Sequence, residues 1–345
     1  MKVTTAGIDL AKNVFQVHGV DEHGKTVLRK QLKREQVAVF FANLPTCLVG
    51  MEACGSAHHW ARKLKSLGHT VRLMAPQFVK PYVKTNKNDA ADAEAICEAV
   101  ARPNMRFVPV KNVEQQAVLA LHRVRQGFIQ ARTAQANQIR GLLAEFGLIV
   151  PQGIVHIAGR VPALLEGASN ELPGSFRMLI NQLINHLKVL DEHVLDLEAK
   201  IKAWHRENET SRKLEQIPGI GPVTASALVA TIGDAKAFEN ARQLAAWIGL
   251  VPGQHSTGGK EKLLGISKRG DTYLRTLLIH GARSVILATQ RKVTKEESWL
   301  GKLLLRKNSN VAAVALANKN ARVVWALLAK DRTYCNEPIA MSAGA

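Results

Sequence analysis

The chain has 345 residues, with 47 lysines and arginines against 28 aspartates and glutamates, a net charge of +19. Hydrophobic residues make up 46% and charged residues 22%, which excludes intrinsic disorder and allows two or three domains, each with its own core. A basic excess of this size calls for an anionic partner, nucleic acid first and anionic membrane second.

Taken in order, Val3 to Leu10 reads as a short apolar strand with Asp9 near its end, and Val14 to Val20 as a second strand. Asp21-Glu-His-Gly24 is a turn, and a third strand begins over Thr26 to Leu28. Glu35 to Phe41 is helical. Cys47 to Met51 is a buried strand that delivers Glu52 at its end. A helix over Ala57 to Leu67 stops at Gly68, and His69 to Met74 is a further strand. Asn88 is placed to cap a helix running from Asp89 to Ala101. Three strands followed by strand–helix alternation make a mixed α/β domain, whose first connections are too short for parallel crossovers.

Beyond residue 110 the pattern becomes long helix, over Val113 to Phe146 and again over Ser175 to Arg206, with a stretch from Pro151 to Pro173 between them that is loop-rich with short helical pieces. Two such helices, antiparallel, form a spacer or a coiled-coil arm. From Leu214 a Pro-Gly-Ile-Gly turn joins two short helices. Gly219 and Gly221 either expose backbone N–H groups to phosphate in a helix-hairpin-helix, or turn an ordinary corner in a core. Phe238 to Leu250, a loop over Val251 to Gly265 and a helix over Asp271 to Leu287 follow. Residues 260–332 hold 16 basic and 5 acidic residues, so +11 of the total charge sits there. The expected division is 1–110, 111–210, 211–332 and a loose tail over 333–345.

Two sets of residues carry chemistry. Asp9 and Glu52 end separate strands, and Asp89 and Asp92, three apart, share one helix face. Four carboxylates in a chain this basic point to a divalent metal, Mg²⁺ or Mn²⁺, serving phosphoryl transfer; otherwise they are caps and surface acids. The second set is a glycine-rich loop around Ser256 and Thr257, bordered by His255, Lys260, Lys262, Lys268, Arg269 and Arg275. A hydroxyl in so positive a setting either attacks a phosphodiester or only donates a hydrogen bond to phosphate. The loop lacks P-loop spacing. Cys47, Cys54, Cys97 and Cys335 are too scattered for a zinc site and fit a reducing compartment. Asp9 interrupts any leader, and no apolar run reaches the ~18 residues of a membrane span, so a cytoplasmic protein that acts at the nucleoid is expected.

The motifs Gly7-Ile-Asp-Leu-Ala-Lys12, Met51-Glu-Ala-Cys-Gly55, Lys87-Asn-Asp-Ala-Ala-Asp-Ala93 and Gly249-Leu-Val-Pro through Ser256-Thr-Gly-Gly-Lys260 together resemble the insertion-sequence transposases related to Piv-type invertases, over residues 1 to about 330. The resemblance implies a RuvC-like (RNase H-like) N-terminal domain, a long helical coiled-coil region and a mainly helical C-terminal domain. It implies a DEDD metal centre of Asp9, Glu52, Asp89 and Asp92, and a nucleophilic serine at Ser256, with Thr257 a rival hydroxyl. It further implies donor and target double-stranded DNA, a guide noncoding RNA, and homodimers that pair into a tetrameric synapse. The expected activity is therefore DNA recombination by a serine nucleophile beside a Mg²⁺ centre. Two alternatives stand beside it: a RuvC-like metal-dependent nuclease acting on branched DNA, and a non-enzymatic nucleic-acid-binding protein.

Overall fold

The computed structural model describes residues 2–84, 88–167, 170–291 and 298–335. Lys87 of the acidic motif and residues 336–345 of the expected tail lie outside the described residues. The chain divides into two compact units, Met1–Gln115 with Ile232–Ala237, and Gln116–Thr231 with Phe238–Ala345.

The first unit is built on β1 (Thr5–Leu10), β2 (Val14–Val20), β3 (Thr26–Lys33), β4 (Leu48–Glu52), β5 (Thr70–Met74) and β6 (Phe107–Val108), in the order β3-β2-β1-β4-β5-β6. β1, β2 and β3 form an antiparallel meander, β1, β4 and β5 are parallel, and β6 closes the edge antiparallel to β5. Helices α1 (Gln36–Ala42) and α2 (Ala57–Ser66) contribute to the core on one face, a short α3 (Pro76–Val79) follows β5, and α4 (Asp89–Val100) crosses the other face. This mixed sheet flanked by helices is the RuvC-like architecture that the resemblance implies.

β1 is central and covered on both faces, which is why Ala6, Gly7 and Ile8 are consecutive buried residues and not an alternating pattern. On one side Ile8, Phe15, Val17 and Met51 pack with Val37, Phe41, Trp60 and Leu64. The α2 positions Ala57, Trp60, Ala61 and Leu64 recur at helical spacing, so a single apolar stripe faces that core. On the other side Ile96, Ala99 and Val100 of α4 pack with Met74 and Val79. The helix lies so close to β1 that a Cβ at Gly7 would meet the Ala93 carbonyl oxygen at 2.3 Å and the Cys97 nitrogen at 2.4 Å. Only glycine at position 7, beneath a helix of small residues, permits that approach.

In the second unit, α5 (Val113–Ala144) pairs with α7 (Gly174–Glu207). Arg125 bonds Glu198, Arg132 bonds Asp191 and Gln135 bonds His186, so the partner number falls as the first rises and the helices run antiparallel. Ile180, Ile184, Leu187, Leu190, Val194, Leu197 and Ile201 recur every three or four residues and are buried. Each such side chain contributes roughly 1.5–3 kcal/mol relative to exposure. Where short helical pieces in a loop-rich stretch were expected, one continuous helix forms, α6 (Ile154–Glu166), thirteen residues long with Pro162 inside it. Burial of Ile157, Val161 and Leu165 against Ile139, Leu143 and Ile180 outweighs the proline's local cost.

The rest of this unit is α8 (Glu209–Glu215), α9 (Pro222–Ile232), α10 (Ala241–Ile248), a hairpin of β7 (Pro252–Gln254) and β8 (Leu263–Ile266), α11 (Thr272–Gln290), α12 (Trp299–Leu304) and α13 (Ser309–Lys330). The hairpin lies where a plain loop was expected. Gly219, at φ +88°, packs against the backbone of Gly281 in α11, where a Cβ would come within 2.8 Å of its carbonyl oxygen. Asn320 of α13 donates to the Pro218 carbonyl at 2.9 Å. At Gly219 the turn is therefore a packed corner, whereas a Cβ at Gly221 would meet open space. α13 is long and apolar enough to cross a membrane by length and composition, contrary to the expectation that no run is. Its Ala312, Ala313, Leu316, Ala317, Ala321, Val324 and Leu327 are buried in this unit, which contains α10 and α11 packed on it.

Candidate metal centre

The close approach of α4 to β1 sets up the site. β1 carries Asp9 two residues beyond Gly7, and the first turn of α4 carries Asp89 and Asp92. Asn88 fixes that turn: its side-chain oxygen accepts from the Ala91 N–H at 2.8 Å. Asp9, Asp89 and Asp92 each bring a carboxylate oxygen to within 4.8 Å of the others. Asp9 and Asp92 are half-buried and Asp89 is exposed. Three anions held this close repel one another, and a hard divalent cation with oxygen ligands is a partner that would offset the repulsion.

Glu52 ends β4, the parallel neighbour of β1, one residue past the last paired positions Ile8 and Met51. It is not one of the three converging carboxylates. Its charge and that of Asp9 both reach the Cys54 thiol, whose pKa is raised first by burial, then by Glu52, then by Asp9. The acid therefore stands beside the cluster, one strand over.

The serine loop is built differently from the expectation. Ser256 lies exposed between β7 and β8, and its Oγ accepts a hydrogen bond from Gln254 Nε2 at 2.8 Å. Among the described residues no histidine or carboxylate hydrogen-bonds that hydroxyl. His255 is exposed and uses its backbone N–H on the Lys262 carbonyl. A serine hydroxyl is a weak nucleophile until a neighbouring base, a lowered pKa or a metal activates it, and no such group meets Ser256 Oγ among the described residues. The expectation of a serine nucleophile is thus corrected: the chemistry assembled in the structure is the carboxylate cluster, and Ser256 and Thr257 are hairpin-tip residues.

Lys260 and Lys262 are exposed at that tip, and Lys268 and Arg269 are exposed at the hairpin's base, beside Gly249. Lys268 holds a left-handed backbone at φ +54°. Arg275, expected among the phosphate-facing residues, is instead buried at 7% exposure. Its guanidinium donates to the carbonyls of Ile248 (2.9 Å) and Arg269 (3.4 Å) and to Thr272 Oγ1 (3.1 Å), so it anchors the loop from behind. A network that sequence reading missed lies in the same unit. Buried His122 of α5 meets Tyr273 Oη at 3.0 Å and Ser226 Oγ at 3.1 Å. Burial and then the Arg125 charge lower its pKa to about 4, so it is neutral near pH 7. Its partners are 104 and 151 residues away, and no local pattern announces them.

A central strand carrying one acid near its end, closed by a helix bearing two more, offers the kind of oxygen-ligand set with which enzymes that cleave phosphodiesters hold a divalent metal. Two family models match the chain, one described as "Transposase" over residues 6–147 and one as "Transposase IS116/IS110/IS902 family" over residues 211–297. The chain is 55% identical over 335 residues to a "Probable family 20 transposase" of Pseudomonas aeruginosa, covering 97% of this chain and 99% of that one. It is 47% identical to the transposase for insertion sequence element IS1111A of Coxiella burnetii (95% and 90% covered). It is 44% identical to that for IS1328 of Yersinia enterocolitica (96% and 98% covered). The chain belongs to the IS116/IS110/IS902 family of transposases.

Proposed function

We propose that this transposase cuts DNA strands at the Asp9–Asp89–Asp92 centre by metal-dependent chemistry. The observation that carries the reading is the convergence of those three carboxylates within 4.8 Å on a RuvC-like sheet. Asp9, Asp89 and Asp92 hold the cation, with Glu52 completing the set from β4. When bound, Mg²⁺ or Mn²⁺ there supplies a polarised phosphate oxygen and an acidified water. The protein's own part is positional: Asn88 fixes the α4 turn, and Gly7 lets the helix sit close enough for its acids to meet Asp9. The test is cleavage of linear and branched DNA with and without Mg²⁺, in wild type and Asp92→Asn. Cleavage by the variant at the wild-type rate refutes the assignment.

The finer parts of the reading rest on the family and on charge. Lys260, Lys262, Lys268 and Arg269, with the backbone at Gly221, grip DNA phosphates without reading sequence. The α5–α7 pair serves as a coiled-coil dimerisation arm, and dimers pair into a tetrameric synapse around donor and target DNA with a guide RNA. The protein works in the cytoplasm. Size measurements of the protein alone and with DNA test the assembly. Copurified RNA, sequenced and then removed by nuclease, tests the guide.

A further inference from the structure

We propose that the cleft beside the acidic centre seats the DNA strand flanking the cut, with Gln16 and Gln31 forming its hydrogen bonds and Arg29 holding its backbone phosphate. This rests on the metal-dependent cleavage reading of the neighbouring acids. The cleft has a volume of about 370 Å³, and its lining includes Gln16, His18, Arg29, Gln31, Asn88 and Glu94.

Its position follows from strand register. Asp9 stands opposite Gln16 on β2, and Gln16 stands opposite Gln31 on β3. Residues opposite each other in antiparallel strands project from the same face. Asp9, Gln16 and Gln31 therefore form one row that starts at the metal centre and ends on the edge strand. At about 4.8 Å per strand, the row spans about 10 Å, roughly three base steps of a duplex. Gly7, His18 and Arg29 form the next row on that face. The far wall is α4 from Asn88 to Glu94, the same turns that supply Asp89 and Asp92. One helix thus serves the centre and the cleft, and a strand whose phosphate reaches the acids runs on over these side chains.

The side chains suit a sugar-phosphate strand. Each glutamine amide offers both donors and an acceptor, and neither amide has a hydrogen-bond partner among the described residues. Gln16 is half-buried, so its amide is aimed from the floor; Gln31 is exposed at the rim. Arg29 is 70% exposed and meets Glu94 only at 3.7 Å, while Lys84 also holds Glu94 at 3.5 Å. A phosphate has the geometry to draw the guanidinium away from that loose pair into a bidentate one. His18, buried on the floor, has its pKa lowered mainly by that burial.

The experiment uses the full chain and a fluorescein-labelled DNA oligonucleotide of mixed sequence, with an RNA of the same sequence in parallel. Binding is read by anisotropy in EDTA, and cleavage in Mg²⁺ over a range of DNA concentrations. For Gln16→Ala with Gln31→Ala, DNA affinity is expected to fall about tenfold, two hydrogen bonds' worth. Cleavage at DNA concentrations below saturation is expected to fall by about the same factor, with thermal melting unchanged. Gln31→Glu, at an exposed strand position that leaves the core untouched, is expected to lose affinity by repelling phosphate. Wild-type DNA affinity in both variants overturns the proposal, as does loss of RNA affinity with DNA affinity intact. Undiminished cleavage by Asp92→Asn is a separate result: it refutes the metal reading without touching the binding measurement.

Discussion

Replacing Gly7 by alanine tests how the fold builds the site. The added Cβ would lie 2.3 Å from the Ala93 carbonyl oxygen, 2.4 Å from the Cys97 nitrogen and 2.8 Å from the Cys97 Cα. All three are backbone atoms of one helix, so no side chain can swing away. Ordinary contact begins near 3.4 Å, so α4 must withdraw from β1 by about 1 Å. Overpacking of this kind costs about 1–3 kcal/mol, which a core of this size tolerates. The centre tolerates it less, because Asp9 belongs to β1 while Asp89 and Asp92 belong to α4. A displacement of about 1 Å between catalytic groups lowers rates on the order of 100-fold. Gly7→Ala is therefore expected to melt a few degrees lower, keep its circular dichroism, and lose about 100-fold in Mg²⁺-dependent DNA cleavage. Full activity in a folded Gly7→Ala protein would refute the claim that this contact positions the acids.

Other expectations follow from named groups. Mn²⁺ at about one hundred times its Kd is expected to stabilise the wild type by about 2.7 kcal/mol, and a urea titration of Asp9→Asn should show no such gain. Arg275→Ala leaves the Ile248 and Arg269 carbonyls without their donor, with an expected cost of about 1–3 kcal/mol measurable by urea unfolding. His122 is neutral in the folded protein down to about pH 4, whereas a free histidine titrates near 6.5. Between those values the unfolded chain binds the extra proton, so stability is full above pH 6.5 and declines as pH falls towards 4. The decline amounts to about 3 kcal/mol in total. Denaturant midpoints at pH 7 and pH 5 should differ less in His122→Phe than in wild type.

Much of the first unit was legible because its signals are local. β2 runs over Val14–Val20 as its composition implies, and Asn88 caps α4 through its own side chain. Asp9, at an apolar strand end with Lys12 close behind, fits the reading of a cap or surface acid less well than Asp89 does. The misses share a physical cause: tertiary contacts decide them. α6 forms through Pro162 because its apolar face is buried by distant residues. The β7–β8 hairpin pairs Pro252 with Ile266 and Gln254 with Leu263, in a stretch with no alternating pattern. Arg275 reads in the sequence as one more surface cation; it is buried, with carbonyl and hydroxyl partners from the end of α10, the preceding loop and its own helix. The serine reading failed for a related reason. Composition only places a hydroxyl among cations, which suits phosphate binding as well; the nucleophile is implied by the resemblance, and the described structure gives the Ser256 hydroxyl only Gln254.

The central claim is that Asp9, Asp89 and Asp92 form the metal centre at which DNA is cut. Its most direct test is end-labelled DNA incubated with the full chain over a Mg²⁺ titration, with wild type compared with Asp89→Asn and Asp92→Asn proteins of matched melting behaviour. The expected result is cleavage that rises with Mg²⁺, vanishes in EDTA, and falls at least about 100-fold in each variant. Strand cleavage that persists in EDTA, or that either variant performs at the wild-type rate, contradicts it.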